Sequence, residues 1–285
     1  PSVTRMRGLR WVRPLGARLV WGNAAVTAAG ARAARLHGAV ATASPDRPAG
    51  QGSGSGLYST HVPTSTLQKG LLAAGSAVAA LLDPSRDDAV ATLGETTGRW
   101  ALERMRDRMA VDEEGATILR EQPRITTDSL GGIETLAALP RDTFGRAYAR
   151  FMLDHGITPD SRRAVRFVDD EELAYVAQRY REIHDFVHVL LGLGTISVHD
   201  EIAVKWFEAF QTGLPMCYLS GAVGPLALPA AERHGVFRDY MPWARRCGTE
   251  AAFVLNVFYE RRFEQNLDDL RRELNITLPP HRPSA

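Results

Sequence analysis

Cysteine is scarce in this chain: Cys217 and Cys247 are the only two among 285 residues, thirty positions apart, and no C-x-x-C pair occurs. That scarcity argues against a disulfide framework, a zinc ribbon or a thioredoxin-like redox pair, and makes a reducing compartment the default. The first forty-five residues lack both acids and lysine. Nowhere do apolar and polar residues alternate long enough to propose a sheet, and the strand-like fragments Arg124–Thr127 and Val165–Val168 stand isolated. A composition that is 45% hydrophobic and 24% charged is enough for a good-sized core and rules out a disordered or fibrous protein.

The charge is uneven. Residues 1–56 carry eight arginines against one acid, Asp46, which leaves 26 bases and 32 acids in residues 57–285, a net charge of −6. Acid-free, arginine-spaced sequence is the composition of a mitochondrial transit peptide. A secretory signal would need an unbroken apolar stretch, which Arg13 and Arg18 interrupt. The glycine and serine run 50–56, GQGSGSG, reads as a flexible hinge. The expected organisation is therefore a targeting segment and linker at 1–56 and a body at 57–285. Nucleic acid is not expected as a partner.

The body reads as helices. Thr64 or Ser65 can cap a helix through Leu67, Leu71, Leu72, Val78, Leu81 and Leu82, stopped by Asp83 and Pro84. Ser85 can cap a second running to about Ala110, and further helices are expected at 142–154, 169–191, 201–212, 232–247 and 250–274. The fold class expected is all-α, a single helical domain. From Ala209 to Ala231 there is no charged residue, long enough to span a bilayer, but Pro215, Pro225 and Pro229 favour a broken, buried pair of short helices.

One cluster could carry chemistry. His184 and His188 lie four apart, so a helix presents both imidazoles on one face, a spacing that a single metal ion accepts. Asp185 would sit about a hundred degrees round, as a ligand at the edge of the face or as an acceptor orienting a histidine. After Gly192 and Gly194, Asp200 and Glu201 can return a carboxylate to the pair. Two imidazoles and two carboxylates suit Zn²⁺, Fe²⁺ or Mn²⁺. Histidines four apart with acids nearby usually form a solvated helix face. Here Phe186, Val187, Val189, Leu190 and Leu191 enclose them, and polar groups within an apolar wall need partners.

The text RFVDDEELAYVAQRYREIHDFVHVLLGLGT followed by EIAVKWFEAFQTGLPM resembles the coenzyme Q (ubiquinone) biosynthesis family marked by an HDxxH-x-E zinc motif. LYSTHVPTSTLQKGLLAAGSA, LGETTG and VLNVFYERRFEQNLDDLRRELNIT agree, so the resemblance spans about Leu57–Leu278. It implies an all-helical mitochondrial protein, peripheral on the matrix face of the inner membrane, within a multi-enzyme coenzyme Q assembly. The implied reaction is decarboxylation at ring carbon 1 of a 4-hydroxy-3-methoxy-5-polyprenylbenzoate precursor, with hydroxylation of that carbon proposed to accompany it. The implied metal ligands are His184, Asp185, His188 and a fourth carboxylate, with Zn²⁺ first and Fe²⁺ or Mn²⁺ as alternatives. The family pattern would put a glutamate at position 200, which is Asp here. One extra residue in the loop from Gly194 to His199 makes Glu201 the choice, with Asp200 the alternative and His199 a further neighbour.

Decarboxylation leaves negative charge on a ring carbon, which a divalent ion can offset as a Lewis acid. No separate proton donor is named by the sequence: Tyr175, Arg179 and Glu182, upstream on the same helix, read as packing and solvated positions. The prenyl tail would need an apolar face, for which Leu71–Leu82 and Ala209–Ala231 are the candidates, ordinary core being the other explanation. The 250–274 helix could serve partners or self-association. Two rivals remain: a His-Asp metal phosphohydrolase, disfavoured by the apolar surroundings and acidic body, and a non-catalytic lipid-binding scaffold with a structural metal.

Overall fold

A computed structural model of the chain describes residues 56–82, 86–195 and 197–280. The expected targeting segment and linker lie, but for Gly56, outside the described residues, as does the expected cap Ser85. Twelve α-helices and no strand occur among the described residues, so the all-α class holds. In order they are α1 (Thr66–Leu82), α2 (Asp87–Thr97), α3 (Arg99–Ala110), α4 (Glu113–Glu121), α5 (Ile133–Ala137), α6 (Phe144–His155), α7 (Glu171–Leu191), α8 (Val198–Thr212), α9 (Pro215–Val223), α10 (Ala230–Gly235), α11 (Met241–Glu250) and α12 (Leu267–Glu273).

α7 is the axis of the fold. The Asp170 side chain caps it by accepting from the Leu173 N–H, and Glu171 and Glu172 place negative charge at the positive end of the helix dipole. All its residues are buried except Glu171, Glu172 and Arg181, because α3, α6 and α8 pack around it. Gly192, at φ +65°, ends it and lets the chain reverse towards α8.

Three regions differ from the expected elements. The helix expected to reach Ala110 is broken at Gly98 into α2 and α3. A Cβ there would lie 2.3 Å from the Gly94 carbonyl oxygen and 3.1 Å from the Leu214 side chain, so only glycine allows the bend and the close packing. The long helix expected over 250–274 is instead the end of α11, short turns at Val254–Asn256 and Tyr259–Arg261, and α12. Val254, Leu255, Val257, Phe258 and Tyr259 are all buried, which no single helix face could achieve. Side chains supply the hydrogen bonds a helix would have made: Gln211 accepts from Val254 N–H and Glu114 from Phe258 N–H. α4 and α5 are additional short helices.

The isolated extended fragments are pinned by side chains instead of by a sheet. Glu95 Oε2 accepts from the N–H groups of Arg166 and Phe167, Gln178 Oε1 from Val165, and Glu182 Oε2 from Ile125. The uncharged stretch 209–231 is broken as its prolines imply, into the end of α8, α9 and a turn at Gly224–Ala227. No helix of the described residues is long and apolar enough to cross a membrane. α1 turns small Ala73, Ser76 and Ala77 towards the body while Leu67, Leu71, Val78, Leu81 and Leu82 are exposed.

Candidate metal centre

The middle of α7 faces the first turns of α8, and there the two histidines meet a carboxylate. Nε2 of His184 and Nε2 of His188 are 3.2 Å apart. Glu201 places Oε2 at 3.2 Å from His188 Nε2 and Oε1 at 3.6 Å from His184 Nε2. All three side chains are buried. Tetrahedral zinc bound to nitrogen at about 2.0–2.1 Å has donor–donor edges of roughly 3.3–3.4 Å, so these separations fit one ion. A second observation agrees: Glu201 Oε2 and His188 Nδ1 are buried with no hydrogen-bond partner, and an orphaned carboxylate oxygen facing two imidazoles is a place for a cation.

Glu208, two turns along α8 from Glu201, decides the tautomer of His184. Its Oε1 lies 2.6 Å from His184 Nδ1. A carboxylate only accepts, so Nδ1 carries the proton and the Nε2 lone pair faces His188 and Glu201. Lys205 lies between the acids, donating to Glu208 Oε2 at 2.8 Å and standing 3.6 Å from Glu201. The Tyr180 hydroxyl donates to the same Glu208 oxygen at 2.7 Å.

Electrostatics keep the donors ready for metal. Burial holds His184 below the usual histidine range, hence neutral. Burial alone would raise both glutamates, but the Lys205 ammonium beside both, together with the His184 Nδ1–H that Glu208 accepts, holds Glu201 and Glu208 well below the carboxylate range. Lys205 itself is desolvated, yet Glu208 and Glu201 raise it and keep it charged.

Asp185 does not join this group. The helix turns it aside, and both its oxygens pair with Arg162 of the loop between α6 and α7. His199 reaches Glu232 at 3.2 Å, and Asp200 Oδ2 accepts from the Gly194 N–H at 3.3 Å; neither contributes a donor to the centre. Arg179 is wholly buried on Glu260 and the Val257 carbonyl, Tyr175 donates to the Pro123 carbonyl, and Glu182 accepts from Arg124 and Gln178. These three tie loops to α7. A cavity of about 290 Å³ lies further back along α7, lined by Tyr58, Arg124, Tyr175 and Gln178, and none of the centre's residues borders it.

Comparison with known proteins gives the family. The model of the coenzyme Q (ubiquinone) biosynthesis protein Coq4 matches residues 58–280. The chain belongs to the Coq4 family. Relatives from Danio rerio and Homo sapiens, each named a mitochondrial ubiquinone biosynthesis protein COQ4 homolog, are 55% identical over 224 residues, covering 79% of this chain and 82% and 84% of theirs. One of the same name from Bos taurus is 57% identical over 226 residues, covering 79% of this chain and 84% of its own. A solved structure from Nostoc punctiforme, 20% identical, covers 74% of this chain and 98% of its own with a TM-score of 0.59, a likeness of fold. Membership in the Coq4 family places this chain in coenzyme Q biosynthesis.

Sequence reading missed three groups. Lys205 and Glu208 follow Glu201 at four and seven residues, one helix face, which is a signal that could have found them. Nothing in the sequence marks Arg162.

Proposed function

We propose that this chain removes the carboxyl group from ring carbon 1 of a polyprenylated hydroxybenzoate in coenzyme Q biosynthesis, at a divalent ion held by His184, His188 and Glu201. Zn²⁺ is the first choice, with Fe²⁺ or Mn²⁺ as alternatives. The observation that carries this reading is the meeting of two imidazole Nε2 atoms and an orphaned carboxylate oxygen inside an apolar wall.

The bound ion supplies Lewis-acid charge to offset the negative charge left on the ring carbon, and a redox-active ion would also allow hydroxylation of that carbon. Glu208 holds His184 with Nε2 free for binding, and Lys205 keeps Glu208 and Glu201 ionised. Phe151, 5.5 Å from the His188 ring, with Phe186 and Val187 beside it, excludes water, so charges in the centre act at low dielectric.

The acid-free segment at 1–56 serves organelle import in this reading. The body works peripherally on the matrix face of the mitochondrial inner membrane with other coenzyme Q enzymes. A second reading, a scaffold presenting prenylated intermediates, is favoured by the exposed leucines of α1.

The test follows loss of the ring carboxyl group from a short-tailed prenyl hydroxybenzoate, anaerobically and in air, using the purified full chain and His184→Ala and His188→Ala variants of measured metal content. Product from the wild type alone establishes the metal-dependent enzyme. No product from metal-loaded, substrate-binding wild type establishes the scaffold.

A further inference from the structure

Lys205 is a buried cation with donors to spare at the edge of the metal-binding group. Its ammonium has three N–H groups, and Glu208 Oε2, at 2.8 Å, takes one of them. His184 Nδ1 stands 3.5 Å away but carries its own proton towards Glu208, so it does not accept. Glu201 Oε1, at 3.6 Å, lies beyond ordinary hydrogen-bond length. Two N–H groups of a desolvated ammonium are thus without a close acceptor among the described residues, a state that costs free energy until a ligand meets them.

The same distances join Lys205 to the centre. Glu201 Oε1 stands 3.6 Å from Lys205 Nζ and 3.6 Å from His184 Nε2, so the ammonium flanks the donors proposed for the ion. The centre is also less closed on this side. The side chains of Lys205 and His184 are 12% and 9% exposed, against 0% for His188 and 2% for Glu208. A ligand arriving from solvent therefore meets Lys205 and His184 first.

Charge gives the sign of that ligand. Glu201 and Glu208 against Lys205 leave one negative charge, and the Asp185–Arg162 pair adds none. A divalent cation turns the balance to one positive charge, so the loaded centre attracts an anion and the empty one repels it. Of the two polar groups on a hydroxybenzoate ring, the carboxyl ionises near about 4 and the phenol near about 10, so at neutral pH the carboxylate is the anion. Its two oxygens are enough to meet the ion and the ammonium together, and a bond between an ammonium and a carboxylate is of the stronger, charge-assisted kind.

We propose that Lys205 donates to the ring carboxylate of the substrate once the ion is bound, which makes it the residue that recognises the group to be removed. This rests on the decarboxylase reading above. Glu208 is then the fixed partner that holds the ammonium in place, so the long lysine stem needs little further ordering when the substrate arrives.

The experiment uses the purified full chain, with and without its ion, and two probes, a short-tailed prenyl 4-hydroxybenzoate and the matching prenyl phenol without the carboxyl group. Calorimetry reads binding, atomic emission reads metal per chain, and circular dichroism reads folding. Metal-loaded wild type is expected to bind the acid at least about tenfold more tightly than the phenol, and metal-free wild type to show no such preference. Lys205→Met combined with Glu208→Gln removes one charge of each sign, so the net charge of the centre is unchanged while the ammonium is gone. With metal in excess, this double variant should bind the phenol as wild type does and lose the preference for the acid. Glu208→Gln alone, under the same conditions, should keep it. Lys205→Gln is a second route to the same answer, and in turnover it should raise KM more than it lowers kcat.

Full acid preference in folded, metal-loaded Lys205 variants, or its equal loss in metal-loaded Glu208→Gln, overturns the proposal. So does a wild-type preference that is the same with and without the ion. Should wild type still remove the carboxyl group in any of these cases, only the Lys205 assignment fails. Metal-loaded wild type with neither acid preference nor turnover overturns the decarboxylase reading along with it.

Discussion

Glu208 Oε1 and His184 Nδ1 meet at 2.6 Å in the interior, and this contact fixes which nitrogen of His184 faces Glu201 and His188. The carboxylate is a hub, for Lys205 and Tyr180 donate to its other oxygen. Replacing it acts on metal affinity through geometry and basicity, without removing a donor. Glu208→Gln is expected to weaken metal binding about 10–100-fold, the usual effect of losing such a partner. Competition against a chromogenic chelator measures this, and unchanged affinity would reduce Glu208 to a packing role.

The choice between neighbouring acids is equally open to measurement. Glu201→Gln and His188→Ala remove donors from the centre and should leave the purified chain without a stoichiometric ion. Asp200→Asn removes a carboxylate that accepts from the Gly194 N–H and should cost a little stability while the ion stays. Metal content and thermal midpoint, read on the same preparations, check both. Metal lost from Asp200→Asn and kept by Glu201→Gln would reverse the assignment.

Much of this architecture is legible because α7 carries its signals locally. The acids Asp169 and Asp170 signal its start, Gly192 and Gly194 signal its end, and His184 and His188 share a face by helix periodicity alone; the structure caps the helix at Asp170 and ends it at Gly192. The turns at Val254–Asn256 and Tyr259–Arg261 are not legible, because burial on every side reads as apolar content while the groups that satisfy the backbone, Gln211 and Glu114, are remote in sequence. Arg162 and Asp185 meet across 23 residues through a loop with no periodicity, so their pairing leaves no local pattern. The motif identifies Asp185 as a residue of the site, but only the packing of that loop shows which partner it takes.

Arg179 and Glu260 form an enclosed ion pair outside the centre, the arginine side chain 0% and the glutamate 17% exposed. The Arg179 guanidinium also donates to the Val257 carbonyl, so it fastens the irregular carboxyl-terminal segment to α7. Glu260→Ala would leave a buried guanidinium without its counter-charge and is expected to cost roughly 3–5 kcal/mol. Pairing it with Arg179→Met should recover much of that loss, because the charge that needed a partner is gone. Urea midpoints for the single and double variants decide the matter, and a double variant no better than the single would assign the loss to packing.

The two cysteines report on the same interior. Cys217 is fully buried with Sγ 3.2 Å from the Tyr180 hydroxyl, and burial, aided by the Glu208 charge, pushes its thiol up to about 12. Burial likewise raises Cys247, whose Sγ lies 3.5 Å from the Thr277 carbonyl oxygen. Only the thiolate attacks an alkylating agent, so at pH 8 a thiol titrating near 12 is about one part in ten thousand reactive, before any loss of access is counted. Native protein should therefore take up no iodoacetamide, and protein in urea should take up one group on each cysteine. The same shift sets a pH dependence. An unfolded thiol ionises near 8.5, so the stability Cys217 contributes is complete below about pH 8.5 and is lost as pH rises towards about 12. Cys217→Ala should flatten that part of the stability curve. Intact-mass spectra and urea titrations from pH 8 to 10 test both expectations, and rapid modification of native Cys217 would mean that α9 opens from α7 far more often than its packing allows.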